Sequence, residues 1–116
     1  MRIIVYGSLR RKQGNSHWMT NAQWLGDHEL AGFDLYDLGQ YPAAIPGEGT
    51  IYCEVYRINA GILAELDELK SNTKDYRREL ITTPYGSAWI YIYKRSLAGV
   101  PRISSGNWLT REARTS

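Results

Sequence analysis

Four consecutive residues, Tyr6, Gly7, Ser8 and Leu9, stand where a short apolar run, residues 2–6 (RIIVY), gives out. A buried strand that ends in Gly-Ser delivers unpaired backbone N–H groups at the end of a sheet. Glycine tolerates a positive φ and lets a ligand come close to the main chain. Successive N–H groups in such a bend form an anion-binding nest. A nest of this kind suits a carboxylate or the oxyanion of an acyl-transfer intermediate. A plain strand-to-loop turn uses the same two residues, so the segment supports both readings. The other chemistry-bearing residues are weaker candidates. His17 and His28 have no carboxylate or cysteine at a metal-ligand spacing, and both read as solvent-facing. Cys53 lies in a strand-like run with no histidine near it in sequence, which fits a buried structural thiol. No Gly-rich phosphate loop, nucleophile elbow or zinc motif is present, so neither a cofactor nor a metal is expected.

The elements that must hold Gly7 follow from hydrophobic periodicity. Residues 2–6 are nearly continuously apolar, the pattern of a central strand buried on both faces. Residues 10–15 (RRKQGN) read as loop. Ser16 is a candidate N-cap for a helix over 16–24, closed by Gly26-Asp27. A second strand is expected over 29–38, interrupted at Gly32, and the Gly- and Pro-dense stretch 39–49 reads as loop. Residues 50–58 (TIYCEVYRI) are β-branched and aromatic throughout, the clearest strand. Tyr52, Glu54, Tyr56 and Ile58 then share one face, and Ile51, Cys53, Val55 and Arg57 the other. Asn59 caps a helix to about Lys70, with Ile62, Leu63, Leu66 and Leu69 at buried-face spacing. Residues 76–83 and 88–94 pair as a hairpin across the turn 84–87, and 96–108 is irregular, with room for a short strand. Strands do not alternate regularly with helices, which argues against a doubly wound α/β sheet. The expected fold class is α+β: a small mixed β-barrel of five or six strands with helices packed outside.

Composition sets the bounds. A chain of 116 residues has room for one domain, expected over 1–109 with a polar tail at 110–116. Hydrophobic residues at 43% and charged residues at 22% suffice for an ordinary core. Lys plus Arg total 14 and Asp plus Glu 12, a formal charge of +2, too slight to argue for a nucleic-acid partner. No apolar run approaches the ~18 residues of a membrane-spanning helix. The single cysteine excludes an intrachain disulfide and fits a reducing, cytoplasmic setting. Nine tyrosines and four tryptophans against one phenylalanine imply either a half-exposed β surface or an aromatic pocket.

Several segments together resemble the γ-glutamylcyclotransferase-like family, and within it the YtfP-type bacterial proteins. They are VYGSLR at 5–10, GNSHWMTNAQ at 14–23, LGQYPAAIPGEGT at 38–50, EVYRI at 54–58, LAELDEL at 63–69, Tyr76 with Arg78, TPYGSAW at 83–89 and SGNWL at 105–109. The resemblance implies a small mixed barrel with a cavity at the end of the first strand. There the Tyr6–Leu9 loop would hold a γ-glutamyl or related amino-acid group, with Tyr76 in the pocket. In that family the group's α-amine attacks its own side-chain carbonyl, 5-oxoproline forms, and the amine or peptide beyond is released. One glutamate takes the proton from the amine and returns one to the leaving group. Such a carboxylate works best with a raised pKa, and the substrate supplies its own nucleophile, so folding it into the attack geometry is most of the task.

This chain departs from the pattern at that glutamate. The family motif reads Leu-Asp, two residues, Glu, then Tyr six positions later and Arg two after that. Here Leu66-Asp67 opens the stretch and Tyr76 and Arg78 close it, so the glutamate position is Lys70. At ~100° per residue Lys70 lies within about 60° of the helix's buried direction, whereas Glu68 points about 150° away, toward solvent. Glu54, between Tyr52 and Tyr56 on one strand face, is a substitute in principle, and Glu79 a weaker one. Cys53 stands where related sequences tend to carry glycine. A desolvated Lys70 has a lowered pKa and could act as a base; a charged one would attract a substrate carboxylate or a neighbouring acid. The expected function is therefore a γ-glutamylcyclotransferase-like activity with an altered base. The alternative is a non-catalytic binding protein for a small amino-acid-like ligand. An interaction module built on the aromatic surface ranks last.

Overall fold

The computed structural model describes residues 1–7, 19–39, 41–71 and 75–110, the side chains of residues 69–71 excepted. The elements run β1 (Arg2–Val5), β2 (Gln23–Asp37), β3 (Pro42–Arg57), α1 (Ala60–Ser71), β4 (Tyr76–Thr83) and β5 (Gly86–Tyr93), with a 3-10 turn at Trp108–Thr110. The apolar run at the start becomes β1, in the middle of a mixed five-stranded sheet of order β2-β3-β1-β5-β4. It pairs antiparallel with β3, from Arg2 opposite Arg57 to Val5 opposite Glu54, and parallel with β5, Ile3 opposite Trp89.

Both faces of β1 are buried, which is why its sequence does not alternate. Ile4 faces a cluster with Leu30, Phe33 and Leu35 of β2, Ile51, Cys53 and Val55 of β3, and Ala88, Ile90 and Ile92 of β5. Ile103 and Trp108 cover that cluster. Ile3 and Val5 face the other way, with Tyr56, Ile58, Tyr91 and Met19, under Ile62, Leu63 and Leu66 of α1. The strand faces expected of β3 are the observed ones. Asn59 caps α1 as its sequence position implies: its Oδ1 accepts from the Ile62 N–H at 2.8 Å and its carbonyl from the Leu63 N–H at 3.1 Å.

Three expectations need correction. The sheet is open, not a barrel. Closure would need a ladder between the edges β2 and β4. Instead the β2 edge is occupied by residues 101–103: the Asp37 N–H donates to Pro101 O (2.9 Å), the Ile103 N–H donates to Leu35 O (2.7 Å), and Tyr36 bridges Arg102. The hairpin tip touches β2 through Tyr85, whose hydroxyl donates to Asp27 O at 3.3 Å. Second, Trp24 and Gly26-Asp27 belong to β2, not to a helix and its terminus. Trp24 pairs with Tyr56, and a bulge follows before Gly26. Gly26 is needed for close approach: a Cβ there would lie 2.0 Å from the Tyr85 hydroxyl. Residues 16–18 of that expected helix lie outside the described residues. Third, most of the expected loop 39–49 is the first half of β3, paired with β2 from Asp37–Pro42 to Phe33–Pro46. Pro42 and Pro46 are tolerated because β1 joins β3 only from Glu54 onward, so the missing N–H groups break no ladder there. Gly32, at φ +91, forms the bulge in β2 where the interruption was expected.

Candidate functional site

Register places a carboxylate beside the end of β1. Directly paired residues share a sheet face, so Glu54 lies on the face of its partner Val5, the face that α1 covers. Glu54 is 2% exposed. The Tyr56 hydroxyl, from two residues along the same strand, donates to Glu54 Oε1 at 2.8 Å. Two residues beyond Val5, buried Gly7 packs against Pro42, whose Cγ would lie 2.3 Å from a Cβ at position 7. Only glycine allows that approach. The Tyr76 hydroxyl donates to Pro42 O at 2.9 Å, so Gly7, Pro42 and Tyr76 form one contact chain. Tyr6 turns its ring into the opposite cluster and its hydroxyl donates to Tyr91 O at 2.7 Å. The Tyr6 side chain is thus part of the core, and any role it has toward a ligand falls to its main chain. Ser8 and Leu9, the rest of the expected cradle, lie outside the described residues, as does His17.

A second polar cluster joins α1 to the hairpin. Asp67 Oδ1 accepts from the Tyr91 hydroxyl at 2.8 Å, and Oδ2 accepts from Arg78 Nη1. The Arg78 guanidinium lies 4.4 Å over the Trp89 ring, a cation–π contact. Tyr91 and Arg78 are paired across β4 and β5, which places them side by side under the helix. Tyr76 meets Tyr93 edge to face at 5.3 Å.

Burial pushes the Tyr6 phenol well above its ordinary value, with the neighbouring Tyr76 adding to it. Burial also raises Tyr76, seconded by Tyr93 and Asp75, and raises Tyr91, seconded by its bond to Asp67. Unfolded, these phenols ionise near the usual tyrosine value of about 10. Above that pH the unfolded chain loses protons that the folded chain keeps, so stability falls as pH rises, and below it the contribution is complete. Urea midpoints should therefore hold steady from neutral pH to about pH 9 and decline beyond about pH 10, and Tyr76→Phe should make the decline shallower. A flat profile above pH 10 in both proteins would contradict this.

Next to Glu54 along β2 and β3, residues of both sheet faces border solvent, Glu54 itself not among them. Asp27 pairs with Glu54 and Glu29 with Tyr52, so these side chains share one face. Asp27, His28, Glu29, Tyr52, Cys53 and Asn107 line an open depression of about 610 Å³. Tyr52 bonds Glu29, which raises its phenol pKa. His28 is half-buried in this wall. Cys53 is a buried thiol outside any disulfide, and its Sγ donates to His28 O at 3.2 Å. It is buried, as its sequence implied, and it has a histidine beside it that sequence distance had hidden.

Of the other candidate acids, Glu68 is exposed, as the helical wheel predicts. Glu79 lies on the surface against Arg77 at 3.0 Å, which removes it from the site. Lys70 belongs to α1, one turn beyond Asp67, and its side chain lies outside the described residues. Among the described residues, no three of His, Cys, Asp and Glu gather as metal ligands, and no helix is long and apolar enough to cross a membrane. The Asp67–Tyr91–Arg78 cluster was not recognised from sequence, where Asp67 and Arg78 served only as landmarks. The readable signal was the alternation of Tyr76 with Arg78 on one strand face and of Trp89 with Tyr91 on the next.

Comparison with known proteins adds a family to this geometry. Residues 3–110 match the family described as Gamma-glutamyl cyclotransferase, AIG2-like. The chain is 60% identical over 112 residues to the Gamma-glutamylcyclotransferase family protein YtfP of Escherichia coli (strain K12), covering 97% of this chain and 99% of that one. It superposes on the solution NMR structure of Escherichia coli ytfP with a TM-score of 0.82, covering 95% of this chain and 97% of that chain. It superposes on the crystal structure of the uncharacterized protein PH0828 from Pyrococcus horikoshii with a TM-score of 0.83 at 30% identity, covering 93% and 89%.

Proposed function

We propose that this chain, which belongs to the γ-glutamylcyclotransferase family, releases 5-oxoproline from a small γ-glutamyl amine or peptide, with Glu54 as the proton carrier. In the step envisaged, the α-amine nitrogen attacks the side-chain carbonyl carbon and the five-membered ring closes. Glu54 takes a proton from that amine. Main-chain N–H groups of Gly7, Ser8 and Leu9 hold the oxyanion. Collapse breaks the bond to the leaving nitrogen, which receives the proton from Glu54. Ring closure needs no external nucleophile, so orientation of the substrate supplies much of the rate.

The observation that carries this reading is the place of Glu54. It is a buried carboxylate directly across from Val5, on the face that continues toward Gly7. A buried carboxylate is favoured in its protonated form, which helps an acid that must return a proton. The protein is read as one domain over 1–109 with a polar tail at 110–116, in the cytoplasm, with a small γ-glutamyl or amino-acid-like ligand as its partner. The test is incubation of the purified protein with a broad panel of γ-glutamyl compounds and assay of 5-oxoproline. Release from at least one is expected; none above buffer across the panel would overturn the catalytic reading.

A second reading, a binding protein for such a ligand, is favoured by Lys70, a residue of α1 at the position that the resemblance assigns to the family's glutamate. Lys70→Glu separates the two. If it creates 5-oxoproline release that the parent lacks, the parent binds without reacting. If the parent already turns over, the binding-only reading is wrong.

A further inference from the structure

We infer that Tyr56 is a positioning residue of this site, whose hydroxyl fixes the Glu54 carboxylate in place and holds it in its basic form. The inference rests on the reading of Glu54 above. Side chains two apart on a strand share a face, with Cα atoms about 6.7 Å apart. A phenol is long enough to reach back across that gap, and the Tyr56 hydroxyl meets Glu54 Oε1 at 2.8 Å. Both residues are almost fully buried. The Tyr56 ring is wedged among Ile3, Val5, Met19 and Ile58 beneath α1, so its hydroxyl has a defined position. A hydrogen bond donated to a carboxylate favours the charged form, and burial opposes it.

The other groups on this face determine the sign of the balance. Asp27 lies directly opposite on β2, and Tyr52 follows on β3 with its hydroxyl engaged by Glu29. β1 presents apolar Val5. β5 presents Tyr91, and α1 presents Asp67, which Tyr91 and Arg78 hold. The described carboxylates on this face favour a protonated Glu54. The Tyr56 hydroxyl opposes them and favours the form able to accept the amine proton.

The test follows the Glu54 side-chain carboxyl by ¹³C NMR in the whole protein without substrate, with its resonance identified by its loss in Glu54→Gln. Tyr56→Phe keeps the ring and removes the donor. The Glu54 titration midpoint should move up by about one pH unit. In an active enzyme the acidic limb of the kcat/KM profile should move with it. A midpoint unchanged in Tyr56→Phe would overturn the inference. The unmutated protein provides a second measurement: the Tyr56 ring Cζ shift should follow the Glu54 titration, and a Cζ shift flat through it would overturn the inference equally. Neither NMR readout needs turnover. A moved midpoint in a protein that releases no 5-oxoproline sustains the Tyr56–Glu54 coupling while the catalytic reading falls. Turnover with an unmoved midpoint does the reverse.

Discussion

Glu54→Gln should reduce 5-oxoproline release by about 10²–10⁴-fold, the usual worth of a positioned acid–base group. The loss should fall on kcat, with KM little changed, because the proton moves in the reacting complex and not on binding. The substitution is nearly isosteric. An amide oxygen still accepts the Tyr56 hydroxyl, so the strand and its neighbours should keep their places and the melting temperature should stay close to that of the parent. Glutamine cannot take the amine proton, however, and the α-ammonium form of the substrate has no nucleophilic pair. Glu68→Gln and Glu79→Gln provide the contrast. One side chain is exposed on α1 and the other is engaged with Arg77 at the surface, so both variants should retain the parent rate. Equal activity in Glu54→Gln and the parent would exclude Glu54 as proton carrier and return attention to Lys70.

The parts of this site that can be read from sequence are those encoded locally. Residues 2–6 announce a central strand because every side chain must face a core. Asn59 announces the start of α1 because its side chain satisfies an N–H three residues on. The alternation in 50–58 places Glu54 and Tyr56 on one face before any partner strand is known. What could not be read depends on partners distant in the chain. Whether that face is buried is decided by β1, fifty residues earlier in order, and by α1 folding back over it. Pro42 and Pro46 look like loop formers until β1 is seen to join β3 at Glu54–Arg57, beyond them. Gly26 looks like a helix terminator until Tyr85, from the far hairpin, is found against it. The open sheet is a related case. Strand count and pattern suit a closed barrel, and it is residues 101–103, within a stretch legible only as irregular with room for a short strand, that occupy the β2 edge.

That irregular stretch supports the second large prediction. Gly106→Ala should lower stability by roughly 3 kcal/mol, and the melting temperature by about 10–20 °C at the usual ratio for a chain of this size. Two separable causes add. Gly106 has φ +69, a left-handed conformation that an L side chain occupies only under strain. A Cβ there would also lie 1.9 Å from the Thr50 carbonyl oxygen. That oxygen belongs to β3, so no rotamer change relieves the clash and the main chain itself must move. The movement would disturb the bond from the Tyr52 N–H to Gly106 O at 2.8 Å, and with it the seating of Ile103 and Trp108 over the core. Gly99→Ala isolates the first cause. Its φ is +77, yet a Cβ there meets nothing within 4 Å, so only backbone strain of about 1 kcal/mol is expected. Thermal melts of the two variants side by side therefore measure the contact separately from the conformation. Equal losses in both would mean that residues 103–108 can withdraw from β3 freely. In that case Tyr52, in the wall of the depression and two residues from Glu54, would lack the support inferred for it.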